Sequence, residues 1–89
     1  MTGRYRRHPS LRVTALDSEG VALHLDTHQY FSVNATGLKL LEALSAPRTL
    51  DELGAALVAE YDVETSEAIA TAQVFLEQCL ARQMIVATP

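Results

Sequence analysis

The fold is decided in residues 25–37, which read LDTHQYFSVNATG. Up to Val33 the side chains alternate with a period of two, which places Phe31 and Val33 on one face of a strand. From Asn34 onward the apolar spacing changes to that of a helix, and Asn34 is itself a favourable N-cap residue. This stretch therefore predicts the last strand of a small sheet running directly into a helix.

Two more strands are predicted before this one. Residues 11–15 and 21–25 both alternate with a period of two. The segments 17–20, which ends in glycine, and 26–28 consist of turn-forming residues. Strands at 11–15, 21–25 and 29–33 that are joined by such turns form an antiparallel β-meander.

Three helices are predicted after the meander. The first follows the third strand and ends at Pro47, because proline cannot continue a helix. The second begins at Thr49, which forms a capping box with Glu52. The third begins near Thr65 and ends near Arg82, with apolar side chains along one face.

These elements predict an α+β fold with a winged-helix-like architecture: a three-stranded antiparallel β-meander followed by three α-helices. The apolar residues 84–86 are expected to form a short strand or to plug the core. A chain of 89 residues without an internal repeat has room for one domain. We assign the polar and basic residues 1–10 to a flexible arm and residues 11–87 to the folded domain.

Charge argues against a nucleic-acid-binding protein. The net charge is -4, whereas a general nucleic-acid binder needs basic residues to neutralise phosphates. The last two helices have the order of a helix-turn-helix, whose second helix enters a DNA groove. In this chain the start of that helix carries Glu64 and Glu67 and has no basic residue before Arg82. A winged-helix nucleic-acid-binding regulator is therefore the alternative function that charge disfavours.

The sequence also indicates the compartment. No apolar run approaches the roughly 20 residues that cross a bilayer, and the basic N-terminus lacks the apolar stretch of a secretory signal. Cys79 is the single cysteine, so no intrachain disulfide can form. We expect a cytoplasmic protein that does not contact a membrane.

No residues have the spacing of a catalytic or metal-binding site. His8 falls in the predicted arm, and His24 and His28 flank a turn, where solvated histidines are more common than zinc ligands. Cys79 falls on a helix face predicted to be buried, where cysteine behaves as a small hydrophobic residue. The paired carboxylates stand in first turns of helices, where they interact favourably with the helix dipole. We therefore predict no catalytic residues, no cofactor and no metal.

The third strand is the unusual feature. It lies at the edge of the meander, and residues 28–32 contain no proline and no charge if histidine is neutral. Edge strands usually carry proline or charged residues, because these discourage other chains from pairing with the free N–H and C=O groups of the strand. Either an extended peptide adds here as a further strand, or a helix or the C-terminal tail covers the edge. The residues alone leave both possibilities open.

An ordered set of motifs resembles the PqqD family from about residue 9 to residue 86. The strand and helix start at 25–37 carry an aromatic pair followed by an aliphatic residue and Asn. Further similar segments follow in the same order as in the family. They are 47–53 at the start of the second helix, 60–63 before the third helix, and Phe75-Leu76 and Met84-Ile85 near the end.

The resemblance implies a non-catalytic recognition element for ribosomally made, post-translationally modified peptides. In that family the leader segment of a precursor peptide adds as a strand to the meander edge, beside the third helix. A free-standing chain of this size looks most like the lasso-peptide version, which implies a cysteine-protease-type leader peptidase and an ATP-dependent macrolactam cyclase as partners. The residues expected to bind the peptide are His28, Gln29, Tyr30, Phe31, Ser32, Ala68, Thr71, Val74, Phe75 and Gln78.

Some positions depart from the family pattern, and others could lie either in the core or in the groove. Glycine is common where His28 stands, and an acid that faces the groove is common where Thr71 stands. We expect Tyr30 to lie in the groove or at its rim. Of Phe75 and Leu76, one should border the groove, and we assign Leu76 to the core.

Overall fold

The computed structural model describes residues 3–88, and it confirms the predicted meander and the three helices. The meander strands pair in sequence order, antiparallel throughout. In chain order the elements are β1 (Arg4–Arg7), β2 (Leu11–Leu16), β3 (Glu19–His24), β4 (Gln29–Val33), α1 (Ala35–Ala43), β5 (Arg48–Thr49), α2 (Leu50–Glu60), α3 (Thr65–Ala81) and β6 (Ile85–Thr88).

A second small sheet, which the sequence does not predict, joins segments from both ends of the chain. Its strand order is β5-β1-β6, and both pairings are antiparallel. The expected flexible arm is therefore wrong for residues 4–7, which form β1, while residues 1–2 lie outside the described part. The reason is Tyr5, which is only 7% exposed and belongs to the hydrophobic core.

The predicted tail at residues 84–86 is both a strand and a core element. Met84 and Ile85 are buried, and β6 begins at Ile85. The Met84 carbonyl also accepts a hydrogen bond from the His8 N–H at 2.9 Å. This end of the chain is thereby held against β1, away from β4.

The meander turns its smallest side chains toward the core. Ala22 is 0% exposed, whereas Val21 and Leu23 on the other face of β3 are only half-buried. Gly20 belongs to the core-facing set, and a Cβ atom there would lie 2.8 Å from Leu38 Cδ1. Small residues on this face therefore allow α1 to pack close to the sheet.

The first turn is shorter than its sequence suggests. Of the segment 17–20, only Asp17 and Ser18 form the turn, and β3 already begins at Glu19. Asp17 takes the left-handed conformation at φ 56, a conformation that aspartate tolerates better than most residues. The glycine of the segment is used for close packing instead of for the turn.

The predicted helix starts are confirmed. The Asn34 side chain accepts a hydrogen bond from the Gly37 N–H at 2.8 Å. At α2, the Thr49 hydroxyl accepts from the Glu52 N–H at 3.1 Å, and the Glu52 carboxylate accepts from the Thr49 N–H at 2.8 Å. Both bonds of the capping box are thus present, whereas the Glu64 side chain makes no capping hydrogen bond at the start of α3.

A single hydrophobic core connects the helices with both sheets. The largest apolar side chains that are completely enclosed are Leu40, Leu41, Leu44, Leu53, Leu76 and Met84.

None of the helices within residues 3–88 is long and apolar enough to cross a membrane.

Thr49→Ala is expected to lower the free energy of unfolding by about 0.5–2 kcal/mol, because it removes the N-cap hydroxyl. Thr65→Ala is the matched control, since Thr65 is exposed in the first turn of α3 and does not cap it. Urea denaturation of both variants measures the difference. Equal losses in the two variants would contradict the assigned role of the cap.

The capping box also makes stability depend on pH. Its hydrogen bond from the Thr49 backbone holds the pKa of the Glu52 carboxyl below its usual value. A carboxyl with a lowered folded-state pKa stabilises the fold above its unfolded pKa, and this contribution is lost as the pH falls through the folded pKa.

Candidate functional site

The free edge of the meander is formed by β4. Within residues 3–88, β4 pairs only with β3. The C-terminal strand β6 pairs with β1 in the other sheet, so it does not cover this edge. Gln29, Tyr30 and Ser32 are all exposed. Of the two possibilities that the sequence leaves open, the structure therefore has the uncovered edge.

The direction of the hydrogen bonds in this sheet follows from the first hairpin. Leu16 and Glu19 are paired across a two-residue turn, so they exchange both backbone hydrogen bonds. In an antiparallel ladder such hydrogen-bonded pairs alternate with non-bonded pairs. Continued from Leu16 and Glu19, the alternation predicts that Ser10 and Leu25 form a hydrogen-bonded pair. The Leu25 N–H does donate to the Ser10 carbonyl, at 2.9 Å.

The same alternation determines which groups of β4 face outward. Glu19, Val21 and Leu23 bond to β2, so the residues between them bond to β4. Tyr30 and Ser32 pair with Leu23 and Val21, and their own N–H and C=O groups therefore point away from the sheet. The residues of β4 that bond back to β3 are Gln29, Phe31 and Val33.

A groove runs beside this edge, between the end of β4 and α3. The Arg82 guanidinium lies 5.8 Å from the centre of the Phe31 ring and closes one end. From there the groove continues between the start of α1 and α3 toward Glu67. Along its length it is lined by Ser32, Val33, Asn34, Thr36, Gly37, Thr71, Val74, Phe75, Gln78 and Arg82.

Most of the predicted helix residues lie along this groove. Thr71, Val74, Phe75 and Gln78 all line it. Ala68 belongs to its far part, near Tyr61, although it is only 2% exposed. α3 thus presents one continuous face to the same depression that borders β4.

The predicted strand residues occupy three different environments. Ser32 lines the groove. Phe31 is half-buried and packs against the core. Tyr30 is 72% exposed and lies on the opposite face of the sheet from Phe31, outside the groove lining. His28, in the turn before β4, has a φ of 60, which explains why glycine suits this position.

Phe75 and Leu76 separate as the sequence predicts. Leu76 is completely buried, whereas Phe75 is half-buried and borders the groove. A Cβ atom at Gly37 would lie 3.1 Å from the ring atom Cε1 of Phe75. The glycine in α1 therefore leaves room for the Phe75 ring at the floor of the groove.

Sequence reasoning missed the contribution of α1 and of the end of α3. Asn34, Thr36 and Gly37 line the groove in addition to capping or forming α1, and Arg82 closes it. One feature of the sequence could have indicated the role of α1: the run of small residues after Asn34 favours the close approach of another element. Sequence spacing could not show that this element is α3.

Cys79 is a core residue whose thiol is shielded from solvent. It is 3% exposed, and burial raises the pKa of its thiol to about 12. We predict that the folded protein resists alkylation by iodoacetamide at pH 8, because the reactive thiolate is scarce. Mass spectrometry should find full labelling only after unfolding in urea. Rapid labelling of the folded protein would contradict this assignment.

The histidines are less solvated than the sequence suggests. His24 is only 1% exposed, so its assignment as a solvated turn residue is wrong. It faces the core together with Ala22, because side chains alternate along β3. His8 is also ordered, since its N–H bonds to the Met84 carbonyl. His28 is exposed, as expected.

The fold and its exposed edge define a small α+β domain with a winged-helix-like core. The sequence matches the family described as coenzyme PQQ synthesis protein D (PqqD) over residues 19–85. The chain therefore belongs to the PqqD family. Among curated proteins, none matches the sequence.

Two solved structures have the same fold. One is TbiB1 in complex with the TbiA(beta) leader peptide, with a TM-score of 0.84 and 24% identity, covering 94% of this chain and 98% of that chain. The other is a lasso peptide synthetase B1 complexed with the leader peptide, with a TM-score of 0.78 and 21% identity, covering 92% and 96%. These similarities extend over nearly the whole of each chain.

Proposed function

We propose that this chain is a recognition element that binds the leader segment of a precursor peptide by adding it as a strand to β4. One observation carries the proposal: the outward N–H and C=O groups of Tyr30 and Ser32 stand beside a groove that α3 lines. Backbone pairing supplies affinity in such complexes, and pockets for alternate side chains supply specificity. Both solved relatives are complexes with a leader peptide, which supports the same ligand here.

The lining of the groove indicates the kind of peptide segment that fits. Val74 and Phe75 offer apolar surface in its middle, and Thr71 and Gln78 offer hydrogen-bonding groups. Arg82 stands at one end and Glu67 at the other. We therefore expect alternate apolar residues of an extended leader to enter the groove, while the side chains between them face solvent.

Titration of the fluorescein-labelled leader peptide of a candidate precursor tests the proposal. Fluorescence anisotropy should show saturable binding with one peptide per chain. A scrambled peptide of the same composition is the control. Backbone pairing does not depend on the order of the side chains, whereas the fit of side chains into the groove does. Equal binding of both peptides, or of neither, would contradict the proposal.

We further propose that the domain presents the bound precursor to processing enzymes, namely a cysteine-protease-type leader peptidase and an ATP-dependent macrolactam cyclase, in the cytoplasm. The chain itself would then perform no chemistry. Reconstitution with a candidate peptidase and cyclase of these two types should yield a processed peptide only when this chain is added. Processing at the same rate without it would contradict the presenting role.

The charge of α3 weighs against the nucleic-acid alternative. Its first turn carries Glu67 and follows Glu64, and both are exposed. A DNA column at low salt therefore should not retain the protein, because phosphates would be repelled from the helix that a helix-turn-helix inserts.

A further inference from the structure

A group of potential metal ligands lies outside the groove. His8 follows β1, His24 ends β3, and Asp26 lies in the turn between β3 and β4. One ligand atom from each lies within 4.8 Å of the others. The rings of His8 and His24 are 4.6 Å apart between centroids. Two segments that are distant in sequence, one carrying His8 and the other His24 and Asp26, thus bring two imidazoles and a carboxylate to one place.

Hydrogen bonds determine which nitrogen of His24 carries the proton and which carries the electron pair. Its Nε2 lies 3.1 Å from the Gln83 carbonyl oxygen, which only accepts hydrogen bonds, so Nε2 carries the proton. Its Nδ1 accepts a bond from the Asp26 N–H at 3.2 Å. A histidine ligand commonly donates its other N–H to a backbone carbonyl in this way, which fixes the ring for metal binding.

His8 is in the same tautomeric form. Its Nδ1 accepts the Ser10 N–H at 3.0 Å, so the electron pair is again on Nδ1. Ser10 also donates from its hydroxyl to Asp26 Oδ1 at 3.0 Å, which orients the carboxylate. The Nδ1 atom of His8 therefore faces Ser10, and the Nδ1 atom of His24 faces Asp26. The carboxylate of Asp26 supplies the third ligand.

The three ligand atoms must draw together to enclose a metal. Zinc–nitrogen bonds of about 2.0–2.1 Å put tetrahedral ligands roughly 3.3 Å apart, so the widest separation here must close by about 1.5 Å. His24 is fixed in the core, whereas His8 is half-buried and Asp26 is exposed. Metal binding therefore moves His8 and Asp26, together with the Ser10 and Asp26 N–H groups that bond to the two imidazoles.

We propose that His8, His24 and Asp26 form a three-ligand site for a zinc ion, with water as the fourth ligand. The hydrogen bonds from the Ser10 and Asp26 N–H groups to the two Nδ1 atoms are replaced by bonds to the ion. Two neutral imidazoles and one carboxylate are ordinary zinc ligands, and three protein ligands leave one position open. The ion would link the end of β1 to the turn that leads into β4, and it would take no part in the groove.

Thermal unfolding of the untagged protein with and without ZnCl2 tests the site. Free zinc at ten times its Kd should raise the Tm by about 6–11 °C for a domain of this size. His8→Ala and Asp26→Asn should lose this zinc-dependent shift. His28→Ala should keep it, because His28 lies in the same turn but outside the group. Comparing each variant with and without zinc separates metal binding from any change in intrinsic stability.

Isothermal titration and NMR provide the second readout. We expect one zinc per chain in the wild type, and a change in the Nδ1 chemical shifts of His8 and His24 but not of His28. Absence of a Tm shift in the wild type would overturn the proposal. An equal shift in His8→Ala, or a response of His28 alone, would overturn it as well. None of these outcomes depends on leader binding, so the site and the proposed function fail separately.

Discussion

Ser32→Pro is expected to weaken leader binding by about 30- to 150-fold while the domain stays folded. Proline removes the outward N–H of Ser32 and leaves the leader carbonyl that would pair with it unsatisfied, at a combined cost of about 2–3 kcal/mol. The fold should tolerate the change, since proline is accepted on edge strands where the N–H faces solvent. Fluorescence anisotropy with the labelled leader measures the effect.

Ala15→Pro is the matched control for this experiment. β2 forms the other edge of the same sheet, and Ala15 falls between the residues of β2 that bond to β3, so its N–H also faces outward. This variant should bind the leader as the wild type does. Unchanged affinity in a folded Ser32→Pro variant would contradict strand addition at β4, and so would an equal loss in Ala15→Pro.

Leu76→Ala is expected to lower the free energy of unfolding by about 2–5 kcal/mol, because it opens a cavity in the core. Leu76 is completely enclosed. Phe75→Ala should cost less stability, since Phe75 is half-buried, but it should weaken leader binding because the ring borders the groove. Urea denaturation and peptide titration of both variants separate the two roles.

The two adjacent residues thus serve as controls for each other. At conditions where it is folded, Leu76→Ala should bind the leader more tightly than Phe75→Ala. The opposite order would show that the groove side of α3 has been assigned to the wrong residues.

Much of the fold could be predicted because it is encoded in local patterns. The change of period at Asn34 identifies both β4 and the start of α1. The capping box at Thr49 identifies the start of α2 without any knowledge of the tertiary structure. The edge position of β4 follows from the order of the meander, because strands joined by short turns are neighbours in the sheet.

The second sheet could not be predicted, because its pairing is not local. Residues 4–7 read RYRR, which contains a single apolar side chain and has no alternation strong enough to predict a strand. β1 becomes a strand because Tyr5 enters the core and because residues 48–49 and 85–88 pair with it from distant positions. A two-residue strand such as β5 leaves no periodic signal at all.

The sequence also could not show which face of β3 is buried. Val21 and Leu23 are the more apolar side chains, yet Ala22 and His24 face the core. The choice depends on how closely α1 packs against Gly20, which is a property of the assembled fold. For the same reason the sequence could not predict that His24 and His8 come together, or that Arg82 closes the groove beside Phe31.

Amide hydrogen exchange of the wild-type protein, followed by NMR with and without saturating leader peptide, tests strand addition most directly. In the free protein the amides of Gln29, Phe31 and Val33 should already be protected, because they bond to β3. We predict that the peptide slows exchange at Tyr30 and Ser32. At Ala15, on the opposite edge, exchange should not change. Saturating peptide that leaves Tyr30 and Ser32 unprotected would contradict binding at β4.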